Sequence, residues 1–424
     1  MELRAGQLGG LCALALLCVG LVMVNSADMM VQPVESGAEQ VIGPTLWTIF
    51  TGRAAIYMLL AVIAMIMGAL MPVRLIARWV RERWSREGGS VLVALGIVTF
   101  LLLAFCALVY VPGIADVRNG AHRWIGLGAG KSGGGAGGVG ELSMQPSEVA
   151  KWMLIPIVAW YCTVRSGVGS GRIGGSGLIA VLIAVGAVAG FVVVEDLGTG
   201  VLLGVAAGVV LLCAGAKWWH FAVPGVLAAA LVVAAITTSE YRMNRLKAFV
   251  DPYSHPETIG FHTIQGLVAI HNGRGVGLGL GEGIQKRGYL PEDRTDYIFA
   301  VICEELGVAG AAAVMAMFIG LVWAGYGVAR REQDPFLRLW GIGITATVGL
   351  QASLNLLVVT GLVPAKGIAL PMVSYGGTGW IMTAFSIGVL MAIDRTQGRM
   401  LRRSGEEGGV AAEEARVDLA RAGA

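Results

Sequence analysis

The sequence predicts an all-α polytopic membrane protein with about ten transmembrane helices and one large extracytoplasmic loop. Three observations carry this. Hydrophobic residues make up 56% of the 424 and mean hydropathy is +0.72, too apolar for a soluble chain of this length. The apolar residues come in blocks of about twenty, the length that crosses ~30 Å of hydrocarbon. Charged residues are only 14% of the chain and gather between the blocks.

Taken in order, the blocks place spans at 8–24, 45–70, 91–112, 145–164, 177–194, 199–216, 219–237, 297–328, 338–360 and 379–394. An even number puts both termini on one side, and Lys and Arg choose that side. Arg74, Arg78, Arg81, Arg83 and Arg86 fill the 71–90 loop. Arg165, Arg172, Arg330, Arg331 and Arg338 mark two short loops, and Arg395, Arg399, Arg402 and Arg403 follow the last span. The opposite loops at 25–44 and 195–198 carry none, and 361–378 carries only Lys366. Both termini therefore read as cytoplasmic, in a multi-pass membrane protein. Residues 1–403 form one integral membrane domain, and the polar stretch 404–424 reads as a disordered tail. The external loop, 238–296, is basic, which is tolerated because the charge rule weakens for loops near ~60 residues. An alternative start treats MELRAG, the apolar run and VNSA as a cleaved signal peptide. The six cysteines (12, 18, 106, 162, 213, 303) lie in apolar stretches without CxxC spacing and read as small apolar residues.

Two glycine-rich stretches imitate nucleotide sites. Gly130-Lys131-Ser132 supplies the end of a phosphate loop, but Ile125 stands where that motif needs glycine. HNGRGVGLGLGEG has glycine at every odd position from 273 to 283, a spacing that the dinucleotide fingerprint excludes. These glycines read as places where backbone approaches a ligand or helix closely. Neither stretch supports a nucleotide enzyme, and nothing points to nucleic acid.

Charges inside the apolar blocks are more informative, because ionisable groups at membrane depth are costly. In QPSEVAK, Glu148 and Lys151 lie three apart on one helix face. They make either a local ion pair at a helix start or a buried functional pair. Asp196, in VVVEDLGTG, either completes a network with Lys151 or caps the sixth span. LPEDRTDYIFAVICEELG, residues 290–307, crowds six ionisable groups at the mouth of an apolar helix. Asp296 there either complements the helix dipole, with Asp293 as the cap, or acts chemically. Arg274, Lys286, Arg287 and Arg294 form a basic cluster nearby, suited to a pyrophosphate. A carboxylate beside such a cluster can deprotonate a sugar hydroxyl while the cations stabilise a departing pyrophosphate. GLVPAKGIALPMVSYGGTGW, 361–380, is apolar yet broken by prolines and glycines, and reads as the wall of a cavity.

MQPSEVAK, EDLGTG, IQKRGYLPEDRTDYIFAVICEELG and PAKGIALPMVSYGGTG, in this order among ten spans, resemble the SEDS family (shape, elongation, division and sporulation), the RodA and FtsW peptidoglycan glycosyltransferases. The resemblance runs from the first span to about Arg403. It implies a SEDS-type fold and a lipid II polymerase, with QKRGYLPE and PAKGIALP closer to the division (FtsW) type. It places the family's essential Asp on Asp296 and its buried charged trio on Glu148, Lys151 and Asp196. The Trp of its G-A-x-R-W-I motif falls on Trp124. Substrate-binding candidates on the matching stretches are Arg123, Trp124, Gln145, Lys286, Arg287, Tyr289, Glu292, Arg294, Lys366 and Ser374. No metal ligands are implied, and a divalent cation, Mg or Mn, is the one cofactor candidate. The implied partners are lipid II, a class B penicillin-binding protein (transpeptidase), and other membrane proteins of the division or elongation complex. Arg294 departs from the family's usual His, and Thr378-Gly379 from its usual Ser-Ser. The rival functions are a flippase for lipid-linked precursor and a non-catalytic division scaffold. One tension concerns Asp296, because a helix N-terminus and nearby arginines are expected to lower its pKa.

Overall fold

The computed structural model describes residues 4–28, 30–33, 39–42, 47, 52–84, 88–112, 115–118, 121–126, 143–165 and 175–398. The Gly-Lys-Ser stretch, Arg172 and the 404–424 tail lie outside the described residues.

Among the described residues seven helices are long and apolar enough to cross a membrane: Ala5–Ala27, Arg53–Leu70, Ser90–Tyr110, Gly177–Glu195, Trp218–Thr237, Ile298–Arg331 and Pro335–Val359. The other three predicted spans fall on helices that are shorter or more polar. These are Pro146–Arg165, with three charged residues, Leu197–Cys213, and a helix over 378–398. In chain order we label α1 (Ala5–Ala27), α2 (Arg53–Leu70), α3 (Val73–Trp84), α4 (Gly88–Ala107), α5 (Pro146–Arg165), α6 (Gly175–Glu195), α7 (Leu197–Cys213), α8 (Ala222–Thr237), α9 (Glu240–Val250), α10 (Phe261–Gly273), α11 (Ile298–Arg331), α12 (Pro335–Val359) and α13 (378–398).

Helices α5, α7 and α12 pack on one another, α11 packs on α12, and α1 lies along α11. Leu16 and Leu17 of α1 are fully buried there, so the first span is built into the core. Helices α2 and α13 cross with backbones nearly touching. A side chain on Gly68 would begin 2.3 Å from the carbonyl of Phe385, and one on Gly388 2.1 Å from that of Met65, the small-residue contact that membrane helices favour. Helix α8 has no buried residue and is apolar all round, as a lipid-facing helix is. None of the six cysteines forms a disulfide.

Two segments expected as loops are folded. Pro72 ends α2, and α3 follows with Val73, Ala77 and Val80 buried at helical spacing. Arg74 grips Glu332 through two 2.7 Å bonds, and Arg81 pairs with Asp334 at 3.3 Å. The 238–296 segment contains α9 and α10. Two small antiparallel sheets add to the helices: a hairpin of Met30–Pro33 (β1) with Glu39–Ile42 (β2), and Ala115–Arg118 (β3), Ala121–Gly126 (β4) and Ser143–Met144 (β5) in the order β3-β4-β5.

Helix α11 has 34 residues and is broken at Gly307, where φ is 63°. Residues 274–279 are stitched across this break. Leu278 N–H donates to Glu304 O at 2.9 Å, Gly279 N–H to Glu305 O at 3.0 Å, and Val308 N–H to Arg274 O at 3.3 Å. A side chain on Gly277 would begin 2.2 Å from the Glu305 carbonyl, and one on Gly307 2.4 Å from Gly277 N. The alternating glycines therefore serve backbone packing against a broken helix. The half-helix from Ile298 to Glu305 is buried throughout, and Asp296 stands just ahead of it.

Candidate active site

The turn that delivers Asp296 is held by Glu292. Its φ of 56° is left-handed, and its carbonyl accepts from Thr295 N–H and Tyr297 N–H, both at 3.1 Å. The Thr295 hydroxyl donates to the Glu292 carboxylate at 2.7 Å. Tyr297 is the N-cap residue of α11, and no side chain caps it. Asp293 is thus not the expected cap; it lies 4.0 Å from Arg294. Asp296 is left free of helix-capping work and lines a cavity of about 1490 Å³.

The other walls come from α5 to α10, from Gln351 of α12, from the start of α13, from β4 and from the irregular 364–376 segment. That segment is the cavity wall its prolines and glycines predict. Cations reach the cavity from three directions. Arg123 projects from β4, whose hairpin is pinned by Glu195 at the end of α6: the Tyr110 hydroxyl and His122 N–H donate to the Glu195 carboxylate at 2.7 and 3.0 Å, and Arg123 Nε to its carbonyl at 2.9 Å. Arg242 and Arg245 sit one turn apart on α9. Arg242 donates to the carbonyl of Val194 at 2.8 Å, and Arg245 to that of Ala365 at 3.3 Å. Lys366 comes from the wall itself. Asp296 Oδ2 and Arg123 Nη1 lie 3.1 and 4.0 Å from the point where a side chain on Gly367 would begin.

The expected depression of the Asp296 pKa is reversed. Burial first, then the negative charge of Glu292, push its carboxyl up to about 7, against Arg245 and with a further upward push from Asp196. The carboxylate opens to the cavity yet is ringed by protein, so desolvation outweighs the arginines. His262, which also lines the cavity, has its pKa lowered first by burial and then by Arg245, against Glu292.

The charged trio separates. Lys151 is buried and donates to both Glu148 oxygens at 2.8 and 2.7 Å and to Gln351 Oε1 at 2.8 Å. Asp196 caps α7, accepting from Thr199 N–H at 3.0 Å and from its hydroxyl at 2.9 Å. The local readings of these motifs therefore hold as geometry, while Glu148 and Asp196 also face the cavity.

Arg123, Trp124, Gln145, Glu148, Asp196, Glu292, Asp296, Lys366 and Ser374 all line this one cavity. The Ser374 hydroxyl accepts from Leu370 N–H at 2.7 Å, a bond within the wall. Four of the substrate-binding candidates lie elsewhere. Lys286 is fully buried against Glu305 at 2.6 Å, because an ammonium in the bundle requires a carboxylate. Arg287 meets Glu282 at 3.7 Å, Tyr289 is exposed, and Arg294 pairs with Asp28 at the outer surface. Lys286, Arg287 and Arg294 of the basic cluster read from the sequence are therefore dispersed into separate ion pairs. In its place stand Arg242 and Arg245, which sequence reasoning passed over; their i, i+3 spacing on a short helix was the available signal. Gln351 and Asn355, buried on α12, were also passed over.

Residues 7–399 match the family model for cell cycle proteins named FTSW_RODA_SPOVE. The chain is similar to the probable peptidoglycan glycosyltransferase FtsW of Alkalilimnicola ehrlichii, at 36% identity over 93% of each chain. It is also similar to stage V sporulation protein E of Bacillus subtilis, at 31% identity over 90% of this chain and 94% of that one. Among solved structures it resembles a chain of a peptidoglycan synthase complex that coordinates polymerization and crosslinking, with TM-score 0.65 and 23% identity over 91% of this chain and 96% of that one. The rod shape determining protein RodA of Thermus thermophilus gives TM-score 0.57 at 20% identity, over 91% and 95% of the two chains. Matched from its first helix to the end of its last, the chain belongs to the FTSW_RODA_SPOVE family of cell cycle proteins.

Proposed function

We propose that this chain is a peptidoglycan glycosyltransferase of the division type, polymerising lipid II into β-1,4 glycan strands at the outer face of the cytoplasmic membrane. One observation carries the reading: Asp296 opens into a cavity that also presents Arg123, Arg242, Arg245 and Lys366. The volume exceeds the ~300–1,000 Å³ of an ordinary small-molecule pocket, as a site for two sugar-bearing lipids must. The FtsW relatives support the activity and the division role.

In the reaction, Asp296 takes the proton of the acceptor's sugar 4-hydroxyl. The oxygen attacks the donor's anomeric carbon as the bond to the pyrophosphate breaks. Attack opposite the leaving group converts an α-linked donor into a β-linkage, and undecaprenyl pyrophosphate departs with the electron pair. A carboxyl titrating near 7 suits a base working near neutral pH. The leaving anion is assigned to the four cavity cations rather than to Lys286, Arg287 or Arg294. Among the described residues no three His, Cys, Asp or Glu side chains converge to hold a metal. No step is routed through the Mg or Mn ion considered as a cofactor candidate.

The chemistry requires the cavity to face the lipid-linked substrate outside the cell, with both termini in the cytoplasm. A class B penicillin-binding protein is the partner supported by the likeness to a synthase complex. The test is polymerisation of labelled lipid II by the purified chain with its cognate transpeptidase. Ladders of lengthening glycan support the proposal; precursor that crosses a bilayer without lengthening identifies a flippase instead.

A further inference from the structure

We infer that Gln351 and Asn355 of α12 are positioning residues that tie the backbone of Asp296 to the buried Glu148–Lys151 pair. The inference rests on the reading of Asp296 as the catalytic base. The two amides lie four residues apart, on one face of the helix. Gln351 Oε1 accepts from Lys151 Nζ at 2.8 Å while its Nε2 donates to the Ala369 carbonyl at 2.9 Å. One turn on, Asn355 Nδ2 donates to the Ile368 carbonyl at 2.7 Å and to the Asp296 carbonyl at 2.8 Å. Both side chains are buried.

The arrangement follows from the chain's own constraints. The wall between Pro364 and Pro371 is irregular, so it cannot satisfy its carbonyls in a helix ladder, and unsatisfied carbonyls are costly at this depth. The turn before α11 leaves the Asp296 carbonyl in the same position. Two amides one helical turn apart meet consecutive wall carbonyls, Ile368 and Ala369, and each has a second contact. Gln351 reaches the ion pair, and Asn355 reaches the base. The wall also closes on α7, where a side chain on Gly198 would begin 2.8 Å from Ile368 Cγ1 and 3.4 Å from Asp196 Oδ1. The Glu148–Lys151 pair thus bears, through Gln351, on the segment that fixes Asp296, although none of the hydrogen bonds above joins it to that carboxylate.

A base must meet its hydroxyl within hydrogen-bond reach, and a displacement of ~1 Å costs on the order of 10²-fold in rate. The test compares Asn355→Leu and Gln351→Met, which keep volume and remove the amide, with Val348→Ala, a core change two turns below Asn355 on the same helix. Each full-length variant is purified with its cognate transpeptidase and assayed on lipid II for kcat and KM, with thermal unfolding alongside and Asp296→Asn as reference. The expected result is a kcat loss of roughly 10²-fold in Asn355→Leu, a smaller loss in Gln351→Met, and little change in KM. Val348→Ala is expected to lose stability and keep kcat. Combining Lys151→Met with Gln351→Met should cost no more than the worse single change, because both break one chain of contacts. Wild-type kcat in a folded Asn355→Leu, or a rise in KM alone, overturns the inference while leaving Asp296 in place. An equal kcat loss in Val348→Ala overturns it too, since the loss would then track stability. Undiminished ladders from Asp296→Asn would instead remove the catalytic reading itself. If Asn355→Leu does not fold, Gln351→Met carries the same comparison.

Discussion

Lys286 Nζ lies 2.6 Å from Glu305 Oε1, and neither side chain meets solvent. The Ser26 hydroxyl bonds Glu305 at 2.8 Å and accepts from Lys286 at 2.8 Å, so α1, the glycine-rich segment and the first half of α11 are locked at one point. Removing one member of a buried pair strands the other charge, at a cost of ~3–5 kcal/mol. Lys286→Met should therefore lower the unfolding temperature sharply, and adding Glu305→Leu should recover part of the loss. Any folded Lys286 variant should keep the wild-type KM for lipid II, because the lysine does not reach the cavity.

The pH dependence follows from Asp296. Its carboxyl holds a proton up to about pH 7, so the base is present above that pH and lost as pH falls through it. The profile of kcat should show a one-proton acidic limb centred near 7. Glu292 is the second cause of the shift, and Glu292→Gln should move the limb to lower pH. A limb that stays in place in this variant would remove Glu292 from the electrostatics of the site.

Arg242 and Arg245 give the clearest test of where the pyrophosphate lies. Losing a charge-assisted hydrogen bond costs ~1.5–3 kcal/mol, so each Arg→Ala change should reduce kcat/KM by roughly 10- to 150-fold. Steady-state polymerisation measures this directly. Arg287→Ala and Arg294→Ala, on the outer surface, should stay close to wild type.

The break in α11 predicts a stability effect. Gly307 has a φ of 63°, and a side chain there would begin 2.4 Å from Gly277 N. Strained left-handed backbone costs ~1–3 kcal/mol, and the clash adds to it. Gly307→Ala should unfold at markedly lower temperature, with lost protection of the 274–279 amides in hydrogen exchange.

The sequence announces those features that depend on local spacing. Blocks of apolar residues located the helices. Three-residue spacing foretold the Glu148–Lys151 pair, and Pro364, Pro371 and the glycines after them foretold the cavity wall. The position of Asp296 was legible because a carboxylate at the mouth of an apolar helix needs explaining. Pairings decided by three-dimensional proximity were not legible. Lys286 looked like a phosphate ligand because its neighbours are basic, whereas Glu305, nineteen residues later, claims it inside the bundle. The pKa of Asp296 went the other way from expectation because burial and Glu292 depend on how the turn folds back, which the order of residues leaves open. Gln351 and Asn355 were invisible as ordinary polar residues in an apolar helix, and only the carbonyls they meet give them a role.

The most direct measurement is the rate of lipid II polymerisation by wild type and by Asp296→Asn, each purified with its transpeptidase partner and shown to unfold at the same temperature. The amide keeps the shape and cannot accept the proton, so ladders from wild type and a loss of at least ~10²-fold in the variant are expected. Ladders of equal length and rate from both would contradict the assignment of Asp296 as the base.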